Sequence, residues 1–154
     1  MTNLWFFQLP LLGRCGIETN DTHITRVLIG REASGACEGL ETLLAREASR
    51  QLTEYAMGER RQFDLPVAPK GTPFQQRVWK LLQEIPWGTY QTYVQLAVAL
   101  HMPTGARAVG NAVGANPIPM LIPCHRVLAA GGALGGFRSG LELKRDLLKV
   151  EGIL

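Results

Sequence analysis

A cysteine and a histidine stand side by side at Cys124–His125, followed by Arg126, at the end of the proline-broken apolar run NPIPMLIPCHRV. Three chemistries fit such a pair. Zinc needs three or four Cys, His or carboxylate ligands. The remaining candidates, Cys15, His23, Cys37 and His101, show none of the short paired spacings of zinc sites, so no metal is expected. Free cysteine is also among the most often buried residue types, a reading that suits Cys15 and Cys37. The third chemistry is nucleophilic catalysis. It needs a thiolate, and therefore a nearby cation, helix N-terminus or base to lower the thiol's pKa. His125 and Arg126 offer a base and a cation. Neighbours along a strand point to opposite faces. His125 can therefore serve Cys124 only across a sharp turn, for which Pro123 is suited, or through a relaying water. The base also needs a group to orient it, and Glu151 is one of several carboxylates available.

The elements that must hold this pair lie on both sides of a break. FDLPVAPKGTP, residues 63–73, has three prolines and a glycine and reads as a linker. After it, TPFQQRVWKLLQEI opens a helix with Thr72 as N-cap, Pro73 at the first position and Gln75 completing a capping box. Phe74, Val78, Leu81, Leu82 and Ile85 form its apolar face. PWGTY is a turn. TYVQLAVALH starts a second helix with Thr92 as cap and Gln95 in the same box position. MPTG is a tight turn, and ARAVGNAVGA is a third helix that stops before Asn116–Pro117. Two short helices joined by a tight turn make a helix-turn-helix pattern.

That third helix is nearly without bulk at Ala106, Ala108, Gly110, Ala112, Gly114 and Ala115. Each interior glycine costs about 1 kcal/mol relative to alanine, so either its backbone packs closely on the core or it approaches another large molecule. Arg107 is its one long cation, near the end that faces DNA in a helix-turn-helix. GGALGGFRSG is a glycine loop that can lie against a flat ligand or simply move. LELKRDLLKVEG closes the chain as a helix with Leu143, Leu147 and Val150 on one face, the basic residues Lys144, Arg145 and Lys149, and Gly152 as its stop.

Before the break, LWFFQLP and HITRVLIG read as strands. EGLETLLAREASRQLTEYAMGE reads as a long helix with Leu40, Leu43, Leu44, Leu52, Tyr55 and Ala56 at helical spacing. No active-site constellation is expected within residues 1–63. A length of 154 residues allows one domain or two small ones sharing a core. No apolar run approaches the roughly 18 residues of a membrane span, and the N-terminus lacks the basic residues of a signal peptide. Three cysteines without a CxxC fit a reducing compartment, so the location expected is cytoplasmic. The net charge of +3 is uneven: residues 1–63 carry −1 and residues 64–154 carry +4. The second half therefore permits a nucleic-acid partner without demanding one.

Taken together, GTPFQQRVW, GTYQTYVQLA, ARAVGNAVGANPIPMLIPCHRV and GGALGGFRSGLELKRDLLKVEG resemble the O6-alkylguanine-DNA alkyltransferase family, with the same order and spacing over residues 70–152. Residues 1–63 match weakly, mainly through PLLGR and the strand-then-helix layout. The resemblance implies an α/β fold: a small ribonuclease H-like N-terminal sheet plus helix, residues 1–66, packed on a mainly helical domain with a winged helix-turn-helix, residues 67–154. It implies a monomer, several copies of which could share one DNA. It also implies that no cofactor is needed and that the partner is double-stranded DNA containing O6-alkylguanine. The damaged base is flipped out, and its alkyl group moves once and irreversibly to Cys124. His125 would act as base through a water, oriented by Glu151, with Asn116 shaping the turn. Tyr93 would contact the flipped base and help protonate the leaving guanine. Arg107 would fill the vacated place in the duplex, with Thr92, Ala106, Gly110 and Arg126 as further DNA contacts. Val127, Gly135, Phe137 and the backbone near Arg138 would line or bind the guanine.

Arg138 and Ser139 stand where the family varies, which leaves pocket width open, and Trp87 and Tyr90 have no assigned role. The N-terminal zinc of some members does not fit Cys15, His23 and Cys37. The rivals are a non-catalytic sensor of alkylated DNA, which would lack the cysteine, and a helix-turn-helix regulator, which has no use for His125 or the glycine loop. A cysteine hydrolase, which would turn over repeatedly, is the third.

Overall fold

The computed structural model describes residues 2–35 and 39–154, so the expected role of Cys37 falls outside them. Three antiparallel strands, β1 (Asn3–Leu9), β2 (Gly13–Thr19) and β3 (Ile24–Leu28), form a sheet in that order. Sequence patterning missed β2, because Gly13 and Gly16 dilute its signal. Its inward residues Cys15, Ile17 and Thr19 nevertheless alternate and are buried. Phe6 pairs across from Gly16, and its ring covers the glycine so closely that a Cβ there would lie 2.5 Å from it.

The first helix is shorter than its apolar spacing suggested. Helix α1 spans Leu43–Ala56, because the Thr42 side chain caps it by accepting from the Ala45 amide. Leu40 therefore precedes the helix and Leu43 faces solvent. The buried stripe runs instead through Ala45, Ala48, Gln51, Leu52, Tyr55 and Ala56.

The proline-rich segment is a linker by composition, yet it is tied down. Ile24 N donates to Pro66 O and Ala68 N to Ile24 O, at 2.8 and 2.9 Å. It leads into α2 (Pro73–Gln83), whose Thr72–Gln75 capping box forms as expected. Strand β4 (Gln91–Thr92) precedes α3 (Tyr93–Ala99), which opens with the second capping box, Thr92–Gln95. A short turn leads to α4 (Ala106–Gly114). Trp79 is fully buried and binds α4 to α2, its Nε1 donating to Ala112 O at 2.8 Å. Residues 116–123 then run through the core to β5 (Val127–Leu128), which pairs in parallel with β4. Helix α5 (Leu141–Val150) closes the chain.

One hydrophobic cluster runs from Leu9 and Ile17 through Tyr55, Trp79 and Val109 to Leu147, so sheet and helices share a core. Among the described residues no helix is long and apolar enough to cross a membrane. Gly71 abuts the Trp79 ring; a Cβ there would lie 2.3 Å from it, and the indole is held by its bond to Ala112 O. Gly71→Ala should therefore cost about 1–3 kcal/mol, as overpacked positions do. A urea midpoint equal to that of the parent protein would contradict this.

Candidate active site around Cys124

The cysteine sits on a tight turn. Residues Cys124–Arg126 form one 3-10 turn, with Cys124 N donating to Ile122 O and Arg126 N to Pro123 O. Asn116 builds the support below it: its Oδ1 accepts from Ile118 N at 3.0 Å and its Nδ2 donates to Ile122 O at 2.8 Å. The sharp turn expected at Pro123 is therefore present. No hydrogen bond joins Cys124 to His125 among the described residues, and His125 Nδ1 is buried without a partner.

The other imidazole nitrogen is firmly held. His125 Nε2 lies 2.6 Å from Glu151 Oε2, both residues being buried. A nitrogen facing a carboxylate carries the hydrogen, which leaves an acceptor lone pair on Nδ1. Glu151 receives four further donors: Arg126 Nε on Oε1 at 2.8 Å, Arg126 Nη2 on Oε2 at 3.0 Å, the Gly88 amide on Oε1 at 3.1 Å and the Tyr55 hydroxyl on Oε2 at 2.5 Å. Burial pushes the Glu151 carboxyl up, but donors from His125, Arg126 and Tyr55 outweigh it and hold it at about 2. Burial also pushes His125 down, against the pull of Glu151, so the imidazole rests neutral. Burial pushes the Cys124 thiol up, while Asn116, Lys144 and Arg138 draw it part of the way back. At rest the proton thus sits on sulfur, with a neutral base nearby.

Arg126, expected among the DNA contacts, is turned inward. It is 6% exposed, and its guanidinium donates to both oxygens of Glu151 and to Ile85 O at 2.6 Å. Three of its five N–H donors are thus held inside the protein.

Cys124 opens onto a cavity of about 300 Å³ lined by Tyr93, Gly110, Val113, Gly114, Asn116, Pro119, Phe137, Arg138 and Ser139, with Val27 and Glu32 from the N-terminal half. The volume matches a small-ligand pocket. Gly110 and Gly114 are not close-packed: a Cβ on Gly110 would meet Tyr93 at an ordinary 3.5 Å, and one on Gly114 would meet nothing. Arg107 is exposed one and two turns before them on the same helix face. Gly135 does pack tightly, its φ of 68° placing it 3.0 Å (as a Cβ) from Tyr93. Thr92 caps the helix that carries Tyr93, and Ala106 begins α4. Val127 is fully buried outside the cavity lining, and Arg138 Nη2 reaches across to Asn116 O at 3.1 Å.

Two buried side chains at the site escaped sequence reasoning. Tyr55 was legible only as an apolar position on a helix. Lys144 was noted only as one of the basic residues of α5, and it is fully buried. Its Nζ donates to Val127 O at 2.7 Å, to Gly136 O at 3.2 Å and to Leu134 O, tying the glycine loop to the end of the cysteine segment. Burial draws its pKa down to about 8, against the opposing pull of Cys124. Position 144 lies one turn before the buried Leu148, so the helical stripe could have flagged it. Among the described residues, no group of three or more His, Cys, Asp or Glu could hold a metal ion.

The geometry defines a class: a protein with a buried cysteine–histidine–glutamate line behind a small-molecule-sized pocket, beside two short helices. Comparison with known proteins names the family. A model of the 6-O-methylguanine DNA methyltransferase DNA-binding domain matches residues 73–153. The constitutive methylated-DNA–protein-cysteine methyltransferase of Bacillus subtilis is 41% identical over 150 residues, covering 92% of this chain and 91% of its own. That of Methanosarcina acetivorans is 51% identical over 107 residues, 70% of this chain and 69% of its own. The crystal structure of Mycobacterium tuberculosis O6-methylguanine methyltransferase superposes with a TM-score of 0.87 at 34% identity, over 98% of this chain and 93% of that one. The structure of Mycobacterium tuberculosis OGT in complex with DNA gives 0.85 at 35% identity, over 96% and 91%. The chain belongs to the methylated-DNA–protein-cysteine methyltransferase family.

Lys144→Met keeps side-chain length and removes the donors. Each buried carbonyl left unpaired costs about 1–3 kcal/mol, so amide exchange across residues 131–137 should quicken by roughly tenfold or more relative to α2. Unchanged exchange in that loop would contradict the strut.

Proposed function

We propose that this chain repairs DNA by moving the alkyl group of O6-alkylguanine in a duplex onto Cys124, once per molecule. The observation that carries the reading is Cys124 lining the 300 Å³ cavity with the neutral, Glu151-held His125 beside it. In this reading residues 1–66 form a ribonuclease H-like N-terminal part and residues 67–154 the DNA-binding and acceptor part. There α3 and α4 act as the helix-turn-helix and the β4–β5 region as its wing. The protein works as a monomer in the cytoplasm, and several copies can occupy one DNA.

The chemistry balances without a cofactor. His125 accepts the thiol proton through a water at Nδ1. The Cys124 sulfur attacks the alkyl carbon, an S–C bond forms as the C–O6 bond breaks, and the guanine leaves as an anion that takes a ring proton from water, while the proton held on His125 returns to solvent. Tyr93 lines the cavity, and burial pushes its phenol up, so it remains a hydrogen-bond donor to the departing base. Flipping costs a few kcal/mol of stacking. Arg107 on the exposed face of α4 offsets this by filling the gap, and Gly110, Gly114 and Ala106 let that helix approach the minor groove. Thr92 at the start of α3 contacts the backbone. Phe137, Gly135 and the main chain at Arg138 hold the guanine, with Val127 supporting them from beneath. The product is a thioether, a poor leaving group, so the thiol is not regenerated. Cys124 within the cavity argues against the sensor reading, and a reaction that consumes the cysteine separates it from a hydrolase.

Incubation with duplex O6-methylguanine should add one methyl group to Cys124 by intact mass. Cys124→Ala should abolish the gain and keep duplex binding. No gain in a reduced, folded preparation, or turnover beyond one equivalent, would overturn the reading. Arg107→Ala should slow duplex repair by roughly tenfold or more, an appreciable part of the flipping cost, with little change in reaction with the free base O6-methylguanine. Equal losses on both substrates would remove Arg107 from the flipping step.

A further inference from the structure

One buried titratable group meets the cysteine–histidine–glutamate line from the other half of the chain. Tyr55 lies in the last turn of α1 and is fully buried. Its hydroxyl donates to Glu151 Oε2 at 2.5 Å and lies 3.3 Å from His125 Nε2. Its ring stands edge-on to the imidazole, with centroids 6.5 Å apart, and Phe63 packs against it at 5.4 Å. The imidazole hydrogen and the phenol hydrogen therefore fall on the same carboxylate oxygen.

That sharing has two physical effects. The hydroxyl fixes where Oε2 sits, and through it where His125 Nδ1 points. It also draws charge from Oε2, which lowers the basicity the carboxylate induces in the imidazole. Burial and the Glu151 charge push the Tyr55 phenol far above its ordinary range, so it stays a donor wherever the protein is folded. The other ionisable groups around His125 are Glu151 and Lys144 from α5 and its end, with Arg126 and Cys124 from its own turn.

We infer that Tyr55 is a positioning residue for alkyl transfer: through Glu151 it sets the orientation and basicity of His125, so the N-terminal half completes the active site. The inference rests on Cys124 as acceptor and His125 as its base.

The test is the pH dependence of single-turnover methylation of Cys124, measured for the full chain and for Tyr55→Phe. The substitution keeps the ring and its packing and removes only the hydroxyl. Glu151 Oε2 then turns its full charge on the imidazole and the His125 pKa rises. Transfer needs the imidazole unprotonated, so the acid limb of the rate profile moves to higher pH, by about half a unit or more. The plateau rate falls several-fold as the carboxylate loses its anchor. Phe63→Leu serves as the packing control: it loosens the same contact but keeps the hydroxyl, so it should lower stability and leave the limb in place. Nitrogen NMR of the His125 ring reads the same pKa shift without the reaction. An unmoved limb in Tyr55→Phe overturns the inference, and so does an equal shift in Phe63→Leu. A wild-type protein that stays unmodified overturns the alkyl-transfer reading itself and this inference with it, and is recognised by mass alone.

Discussion

The Glu151 carboxylate is the point on which the rest of the structure depends. A lone buried carboxylate is prohibitively unfavourable, and only several converging donors offset its desolvation. Here five hydrogen bonds reach its two oxygens, from Tyr55 on α1, from the Gly88 turn and from His125 and Arg126 on the cysteine turn. Those segments are far apart in the chain. Satisfying one charge therefore obliges sheet-side helix, the turn after α2, cysteine turn and C-terminal helix to meet at a single place. The cysteine turn inherits its orientation from this convergence, since the two residues after Cys124 are both pinned to the same group.

That convergence also explains what the sequence could and could not disclose. Local rules located the starts of α2 and α3 to the residue, because a capping box is settled within four positions, Thr72 to Gln75 and Thr92 to Gln95. The cysteine and the histidine were legible because their chemistry is distinctive, whereas the role of Asn116 came only from the family resemblance. Strand β2 was not, since its strand character lies in cross-strand contacts such as Phe6 over Gly16. The extent of α1 was overread because apolar Leu40 and Leu43 kept helical spacing while the Thr42 cap excluded one and turned the other outward. The burial of Arg126 and Lys144 was not legible for a shared reason. Their partners lie 25 residues away in one case and on loop carbonyls in the other.

The small residues of α4 can now be interpreted more closely. Two explanations competed: tight packing of the helix on its own core, or room for something outside. Gly114 faces open space and Gly110 has only ordinary contact with Tyr93, so the first explanation does not account for either. Both border the cavity. The helical cost of about 1 kcal/mol for each glycine goes with a mouth that stays unobstructed next to an exposed cation. The tight glycine is Gly135, across the cavity, whose positive φ lets the loop press against Tyr93. Lys144 holds that loop from behind, so the pocket has one pinned wall and one bare one.

The same burial that shapes the pocket governs when the cysteine reacts. Desolvation favours the neutral forms of both partners, raising the thiol and lowering the imidazole. A resting thiol is a weak nucleophile and a poor target for oxidants, whose attack follows thiolate character and exposure. In the proposed reaction the proton moves from sulfur to nitrogen, which creates two charges at once. Each develops beside groups already oriented for it: Asn116, Lys144 and Arg138 around the sulfur, and Glu151 against the imidazole. Dipoles and charges fixed in advance need little reorganisation, which is where such sites gain most over water. In that reading a substrate that fills the cavity strengthens those interactions. Under the proposed single transfer a thiol is best kept protonated until that moment, and the burial around Cys124 favours this.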